Sequence, residues 1–321
     1  MAILITGVAG FIGSNLAKIF VFQGHKVVGL DNFCRGRITN IASLSGEPNF
    51  SFTEVDLSDI EKYRRAIASI QESEAITEVW HMAANSDIPA GVHDANVDLR
   101  DTFMTTFNTL EIMKEFKIGV MAFASSSAIY GDLGEIRLVE DVGPLLPASN
   151  YGAMKLASEA AISAAAESFL DKAYIFRFPN VIGIPATHGV MLDFIRKLKK
   201  TPNNLVVLGD GTQQKSYLHL EELIDAMLFI RDKISDKLSY FNIGADDNGV
   251  TVRFIAEKVV ATVAPGASIK YGQGNKGWIG DVPKFSYSVD KLQNTGWKPK
   301  MGSVQAVVLA VKQISEQEMD T

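Results

Sequence analysis

The stretch Ala2-Ile3-Leu4-Ile5-Thr6-Gly7-Val8-Ala9-Gly10-Phe11-Ile12-Gly13 decides the fold. Its apolar start lacks polar alternation, the pattern of a strand covered on both faces. It runs straight into three glycines and then into an amphipathic helical pattern, Ile12–Gln23. In a strand–turn–helix unit, Gly7 permits a tight turn and Gly10 lets the backbone approach a pyrophosphate. Gly13 lets the helix pack close to the strand. The N–H groups around Phe11 and Ile12, at the positive end of the helix, face the phosphates. Glycines alone also make an ordinary turn, so the assignment needs support from further along the chain.

That support begins with Asp31, which ends the next apolar run, Lys26–Leu30. A carboxylate there can accept from both hydroxyls of an adenosine ribose and would repel a 2′-phosphate, which favours NAD over NADP. Arg35 and Arg37 lie nearby and read either as a 2′-phosphate site or as solvated loop residues. Asp56-Leu57 follows a third strand, at the place where an adenine commonly rests. Further strand candidates are Phe50–Val55, Glu78–Met82, Val120–Ser125 and Ala173–Phe178. Between them lie helical patterns at Leu57–Gln71 and Asp98–Phe116. Strand–helix units repeated in this way predict an α/β fold built on a doubly wound parallel sheet.

Beyond Phe178 the rhythm changes to shorter, mixed elements: helical at Val190–Lys199 and Leu220–Asp232, strand-like at Leu205–Leu208 and Tyr240–Ile243. A smaller second region is expected here, with 220–244 able to return to the first. The run Tyr151–Leu170 is rich in alanine, which suits a helix packed on two sides, one of them against a partner subunit. High helix propensity alone accounts for alanine equally well.

Composition narrows the function. Of 321 residues, 47% are hydrophobic and 21% charged, and the net charge is -6. That balance gives no general attraction for nucleic acid. No apolar run approaches the roughly 18 residues of a membrane span, and no basic leader precedes the first strand. A single cysteine, Cys34, cannot form an internal disulfide, so a reducing cytoplasmic setting is expected. His25, His93, His188 and His219 lack paired ligand spacing, so no metal is expected.

The chemistry is read at Ser125-Ser126-Ser127 and at Tyr151-Gly152-Ala153-Met154-Lys155. Tyr151 and Lys155 share a helical face. An ammonium beside a phenol favours the phenolate and lowers a pKa ordinarily near 10. Tyr151 then serves as general base on a substrate hydroxyl, with a serine hydroxyl donating to the same oxygen.

These motifs together resemble the extended short-chain dehydrogenases/reductases that act on nucleotide sugars, in particular the UDP-glucose 4-epimerase family. The resemblance covers nearly the whole chain. It takes in the glycine loop, Asp31-Asn32, His81-Met82-Ala83-Ala84, the serines with Tyr130-Gly131, and Tyr151 with Lys155. It continues through Arg177-Phe178-Pro179-Asn180, Gly209–Gln213, Tyr217-Leu218-His219 and Gly280-Asp281-Val282-Pro283. It implies a Rossmann-like NAD-binding domain over 1–176 and a mixed α/β nucleotide-sugar-binding domain over 177–321.

For the site, the resemblance implies Ser126, Tyr151 and Lys155 as the catalytic group. The cofactor would contact Gly7, Gly10, Phe11, Ile12, Asp31, Asn32, Asp56, Leu57, Ala83, Ala84, Ser125, Tyr151 and Lys155. Substrate contacts would fall on Ser126, Ser127, Tyr151, Asn180, Val190, Lys215, Lys276 and Phe285. Two departures concern substrate recognition: Lys215 stands where arginine is usual, and Trp278 replaces a basic residue, with Lys276 nearby to serve instead.

The implied reaction is reversible oxidation at C4 of a nucleotide sugar, probed against sister dehydratases that carry an acidic pair after the catalytic hydroxyl. Here those positions are Ser127 and Ala128, which do no such acid–base work. Epimerisation at another carbon, a net dehydrogenase or reductase, and a non-catalytic NAD-binding regulator stand as the competing functions. A homodimer through helices near 98–116 and 151–170 is also implied.

Overall fold

The computed structural model describes residues 1–134, 136–274 and 286–319. The chain divides into two compact units. The first takes in Met1–Ile129, Ser149–Arg177 and Ile230–Tyr240, and the second Tyr130–Ala148, Phe178–Phe229 and Phe241–Thr321. The division therefore differs from a single cut after 176: residues 130–148 join the second unit, and the segment that returns is 230–240.

In the first unit the chain runs β1 (Ala2–Thr6), α1 (Phe11–Phe22), β2 (Lys26–Asp31), β3 (Phe50–Glu54), α2 (Ile60–Gln71) and β4 (Ile76–His81). Next come the short helices α3 (Ile88–His93) and α4 (Ala95–Asp98), a π-helical segment Leu99–Met104, and α5 (Thr105–Glu115). Then follow β5 (Val120–Ala124), α6 (Asn150–Ser168) and β6 (Lys172–Arg177). The strands form one seven-stranded sheet in the order Leu238–Asn242, β6, β5, β4, β1, β2, β3. Pairings from β6 through β3 are parallel.

All five residues of β1 are buried, as the unbroken apolar run predicts. On α1 the buried residues include Gly13, Leu16, Ala17 and Phe20, a helical stripe facing the sheet. Core side chains such as Leu4, Ile67, Phe123 and Ile162 are fully buried, each contributing about 1.5–3 kcal/mol of hydrophobic stabilisation. Helix starts follow local chemistry. Asp59 caps α2 by accepting from the Lys62 N–H, and Ser149 caps α6 by accepting from the Gly152 N–H.

The sequence predicts one helix over Asp98–Phe116, whereas the structure interrupts it with the π-helical turn. Threonine hydroxyls account for the interruption locally. Thr105 donates to the carbonyls of Asp101 and Thr102, and Thr106 donates to that of Thr102. Backbone acceptors in a widened turn are thereby satisfied by side chains.

In the second unit, helices Val190–Lys200, Val252–Val263 and Ser303–Met319 pack around a core that includes Phe194, Leu205, Ile255 and Val307. Strand Asn180–Ile182 pairs in parallel with Tyr217–His219, and Asn204–Val207 with Ser268–Tyr271. The helical and strand patterns read beyond Phe178 thus appear within one or two residues of their expected bounds. No helix among the described residues is long and apolar enough to cross a membrane.

Candidate active site

The glycine loop follows β1 and is shaped by close backbone approach. Gly7 has φ +67, and a Cβ there would lie 2.8 Å from the Ala83 backbone, just beyond β4. A Cβ on Gly13 would sit 2.2 Å from the Gly7 carbonyl oxygen, so only glycine lets α1 start here. No side chain caps the amino terminus of α1 at Gly10. The first N–H groups around Phe11 and Ile12 are thus left for an anion.

Asp31 lies beside this loop, 7% exposed. One carboxylate oxygen accepts from the Ala9 N–H at 2.9 Å and the other from the Phe33 N–H at 2.8 Å. Burial pushes its pKa up against those backbone donors. Asn32 turns the chain by accepting from the Cys34 N–H. Arg35, left open between two readings, reaches across to Asp87 at 3.1 Å. Asp56 accepts from the N–H and hydroxyl of Ser58, and Leu57 is buried.

His81 links the end of β1 to β5. Thr106 spends its proton on the Thr102 carbonyl, so its oxygen accepts from His81 Nε2–H at 3.1 Å. Nδ1 then accepts from the Thr6 hydroxyl at 2.8 Å. Complete burial, reinforced by Lys155, holds this ring's pKa down to about 3, so it is neutral and structural. Its face stacks on Phe123 of β5, and the Lys155 ammonium lies 4.6 Å from the centre of the same Phe123 ring.

Lys155 is 1% exposed and donates to the Ala124 carbonyl at 2.5 Å. Burial lowers its pKa to about 7, while Glu159 and Asp98 pull it back up. The ammonium is 5.8 Å from the centre of the Tyr151 ring. The Ser126 side chain acts on the Tyr151 phenol, and its hydroxyl oxygen accepts from the Ala128 N–H at 3.1 Å. The expectation of a depressed phenol is reversed here. Burial pushes Tyr151 up to about 12, with Ser126 pulling it down and Asp98 adding to the rise. On the protein's own charges Tyr151 therefore holds its proton at neutral pH.

Behind this group lies a buried network that sequence reading missed. Ser125, expected at the cofactor, donates its hydroxyl to Glu159 at 2.5 Å. Glu159 in turn receives three N–H contacts from Arg177, at 2.7, 3.0 and 3.2 Å. The missed signal was spacing, because Glu159 lies one further helical turn beyond Lys155. Ser127 opens a short 3-10 turn, Ser127–Tyr130.

The expected substrate contacts of the second unit fall on separate elements. Asn180 starts a strand and is in register with Tyr217, two residues after Lys215, while Val190 opens the first long helix. Lys215 pairs with Val250 through the backbone. Lys276, Trp278 and Phe285 lie outside the described residues.

The first unit meets the requirements of a bound dinucleotide: a cradle that a Cβ would fill at Gly7 and Gly13, an uncapped helix terminus, and an inward carboxylate at Asp31. The chain is also similar to known proteins. The chain is 26% identical to a UDP-glucose 4-epimerase of Corynebacterium glutamicum, covering 96% of this chain and 94% of that one. Among solved structures, a UDP-galactose 4-epimerase superposes with a TM-score of 0.86 at 32% identity, covering 99% of each chain. The Thermus thermophilus UDP-glucose 4-epimerase, solved in complex with NAD, gives 0.83 at 28% identity, with 98% of this chain and 99% of that one covered. Residues 3–244 match the model of the NAD dependent epimerase/dehydratase family, and the chain belongs to that family.

Proposed function

We propose that this protein is an NAD-dependent nucleotide-sugar 4-epimerase of the UDP-glucose/UDP-galactose type, working through a transient 4-keto sugar. The observation that carries the proposal is the buried Lys155 ammonium 5.8 Å from the centre of the Tyr151 ring, with Ser126, just past the carboxyl end of β5, acting on the same phenol. A general base and a hydrogen-bond donor are thereby aimed at one oxygen. Gly7, Gly10, Phe11, Ile12 and Asp31 would hold the dinucleotide, with Asn32, Asp56, Leu57, Ala83 and Ala84 along its length. When bound, NAD supplies a reversible hydride acceptor and a positive charge near the phenol.

With Lys155 and the cofactor's positive charge offsetting the cost of its burial, Tyr151 would ionise and, as the phenolate, take the proton of the sugar 4-hydroxyl as the carbinol becomes a carbonyl, returning it in the reverse step. Ser126 donates to the same oxygen, and Lys155 favours the phenolate once the proton has to leave. Ser127 and Ala128 supply no acid–base group for eliminating water. The epimerase activity after which the relatives described above are named supports the same reading.

Purified protein incubated with UDP-glucose, UDP-galactose, UDP-glucuronate, their N-acetyl relatives and CDP- or dTDP-hexoses, each followed by NMR, tests it. Conversion to a C4 epimer without added NAD is expected. Turnover that requires stoichiometric NAD or NADH would instead identify a net oxidoreductase. Tyr151→Phe should keep NAD and lose turnover by roughly 100-fold or more, the usual worth of a general base. We also infer a homodimer through the helices near 98–116 and 151–170, where Leu99 and Phe107 keep exposed apolar surface. Sedimentation showing a monomer would overturn that assignment.

A further inference from the structure

Asp98 ends α4 with a side chain that is fully buried. One oxygen accepts from Asn85 Nδ2 at 2.8 Å, and the other, Oδ2, is buried without a hydrogen-bond partner. The carboxylate lies flat against the backbone of Gly91, where a Cβ would come within 1.7 Å of Oδ2. Gly91 is tied to the start of α6, because its carbonyl accepts from Asn150 Nδ2 at 2.9 Å. Asn150 immediately precedes Tyr151. A chain of contacts thus locks Asp98 to the amino-terminal turn of the helix that carries the catalytic pair.

The charges around it can be paired off. Asp87, in the loop before α3, has Arg35 at 3.1 Å. Asp101, in the π-helical turn, has Arg100 at 2.6 Å. Glu159, on α6, has Arg177 at 2.7 Å. Asp98 makes no ion pair among the described residues, yet it interacts electrostatically with Lys155, Asp87, Asp101 and Tyr151. Lys155, for its part, faces Glu159, Asp98 and the neutral His81. Glu159 acts on Lys155 most strongly but is matched to Arg177, so Asp98, whose own pKa burial pushes up, is the acid acting on Lys155 that has no arginine of its own among the described residues. A buried charge with no partner is costly, and Asp98 and Lys155 each make the other's burial tolerable.

We infer that Asp98 is a positioning residue that sets the charge state of the Tyr151–Lys155 pair through Lys155. Its negative charge keeps the ammonium protonated and opposes premature loss of the phenolic proton. The sign of its effect does not depend on which of the two groups gives up a proton first. Removing a nearby negative charge makes either loss easier, so the pair as a whole titrates at lower pH.

The inference rests on Tyr151 and Lys155 being the proton-handling pair, and its test separates the two. Asp98→Asn would be prepared as the NAD-loaded holoenzyme, and tyrosinate absorbance titrated against the same variant carrying Tyr151→Phe, which isolates Tyr151. The titration should fall by about one pH unit, the low end of the shift expected when a neighbouring charge is lost. The pH profile of kcat should move the same way, with KM little changed. An unmoved titration in folded, NAD-loaded D98N would overturn the inference. Asp98→Glu keeps the charge, so its titration should stay with the wild type even where packing suffers. A D98E titration lowered by about a unit would overturn the inference as well, by assigning the effect to shape, and it serves if D98N does not fold. The absorbance arm needs no turnover. A failed epimerase assay with the shift intact would therefore count against the function and leave the role of Asp98 standing.

Discussion

The Glu159–Arg177 pair offers the sharpest test of how the site is held. Both side chains are nearly buried, at 6% and 8% exposure. Glu159 also accepts from Ser125, the residue between the end of β5 and Ser126. Replacing Glu159 with Gln keeps shape and an acceptor for Ser125 but removes the carboxylate charge that faces the Arg177 guanidinium. Breaking one side of a buried pair costs about 3–5 kcal/mol. Arg177 also lies 5.1 Å from the centre of the Tyr240 ring, a contact worth at most about 1–2 kcal/mol. A net loss of about 3 kcal/mol is therefore expected for E159Q.

The double variant E159L/R177M removes both charges and takes the acceptor from the Ser125 hydroxyl, at about 1–3 kcal/mol. It should be more stable than the sum of its single variants by about 2 kcal/mol or more, since neither charge is stranded. Urea unfolding followed by circular dichroism and tryptophan fluorescence measures both quantities. A loss below about 1 kcal/mol for E159Q, or strict additivity in the cycle, would refute the reasoning.

Three further outcomes are expected. Gly13→Ala places a Cβ 2.2 Å from the Gly7 carbonyl, and the purified variant should carry little NAD when the released cofactor is quantified. Lys155 has a folded pKa of about 7, below its unfolded value of about 10.4. Between those two values the unfolded chain binds more protons, so stability relative to Lys155→Met should rise with pH across that window and be lowest below it; unfolding measured from pH 6 to 10 checks the slope. Asn242 is fully buried, accepts from the Tyr130 hydroxyl at 2.7 Å and donates to the carbonyls of Leu138 and Ser288. Asn242→Ala should destabilise the second unit by about 3 kcal/mol, near 1 kcal/mol per hydrogen bond, read by denaturant unfolding.

Much of the sheet was legible because strands covered on both faces must be apolar throughout, and their runs are short and sharply bounded. The glycine loop and the Tyr151–Lys155 spacing were legible for a related reason: each places several constraints within a few residues. What stayed hidden depends on contacts distant in sequence. Asp98 reads as one acid among several in a polar stretch until Gly91 and Asn85 close around it. Glu159 looks like a solvated residue of an alanine-rich helix until Arg177 arrives from β6. The π-helical turn leaves no mark in apolar periodicity, because threonine hydroxyls, not side-chain packing, satisfy its carbonyls. Residues 130–148 carry too little regular pattern to announce that they belong with the second unit.

The order in which the chain visits its two units bears on how it is made. Strand Leu238–Asn242 completes the large sheet beside β6, yet over fifty residues of the second unit intervene between them. During synthesis, β6 emerges from the ribosome with an open hydrogen-bonding edge and must wait for its neighbour. A fragment ending at Arg177 would keep that edge permanently bare and invite self-association. Neither half of this enzyme can be cut out as a tidy, self-sufficient piece.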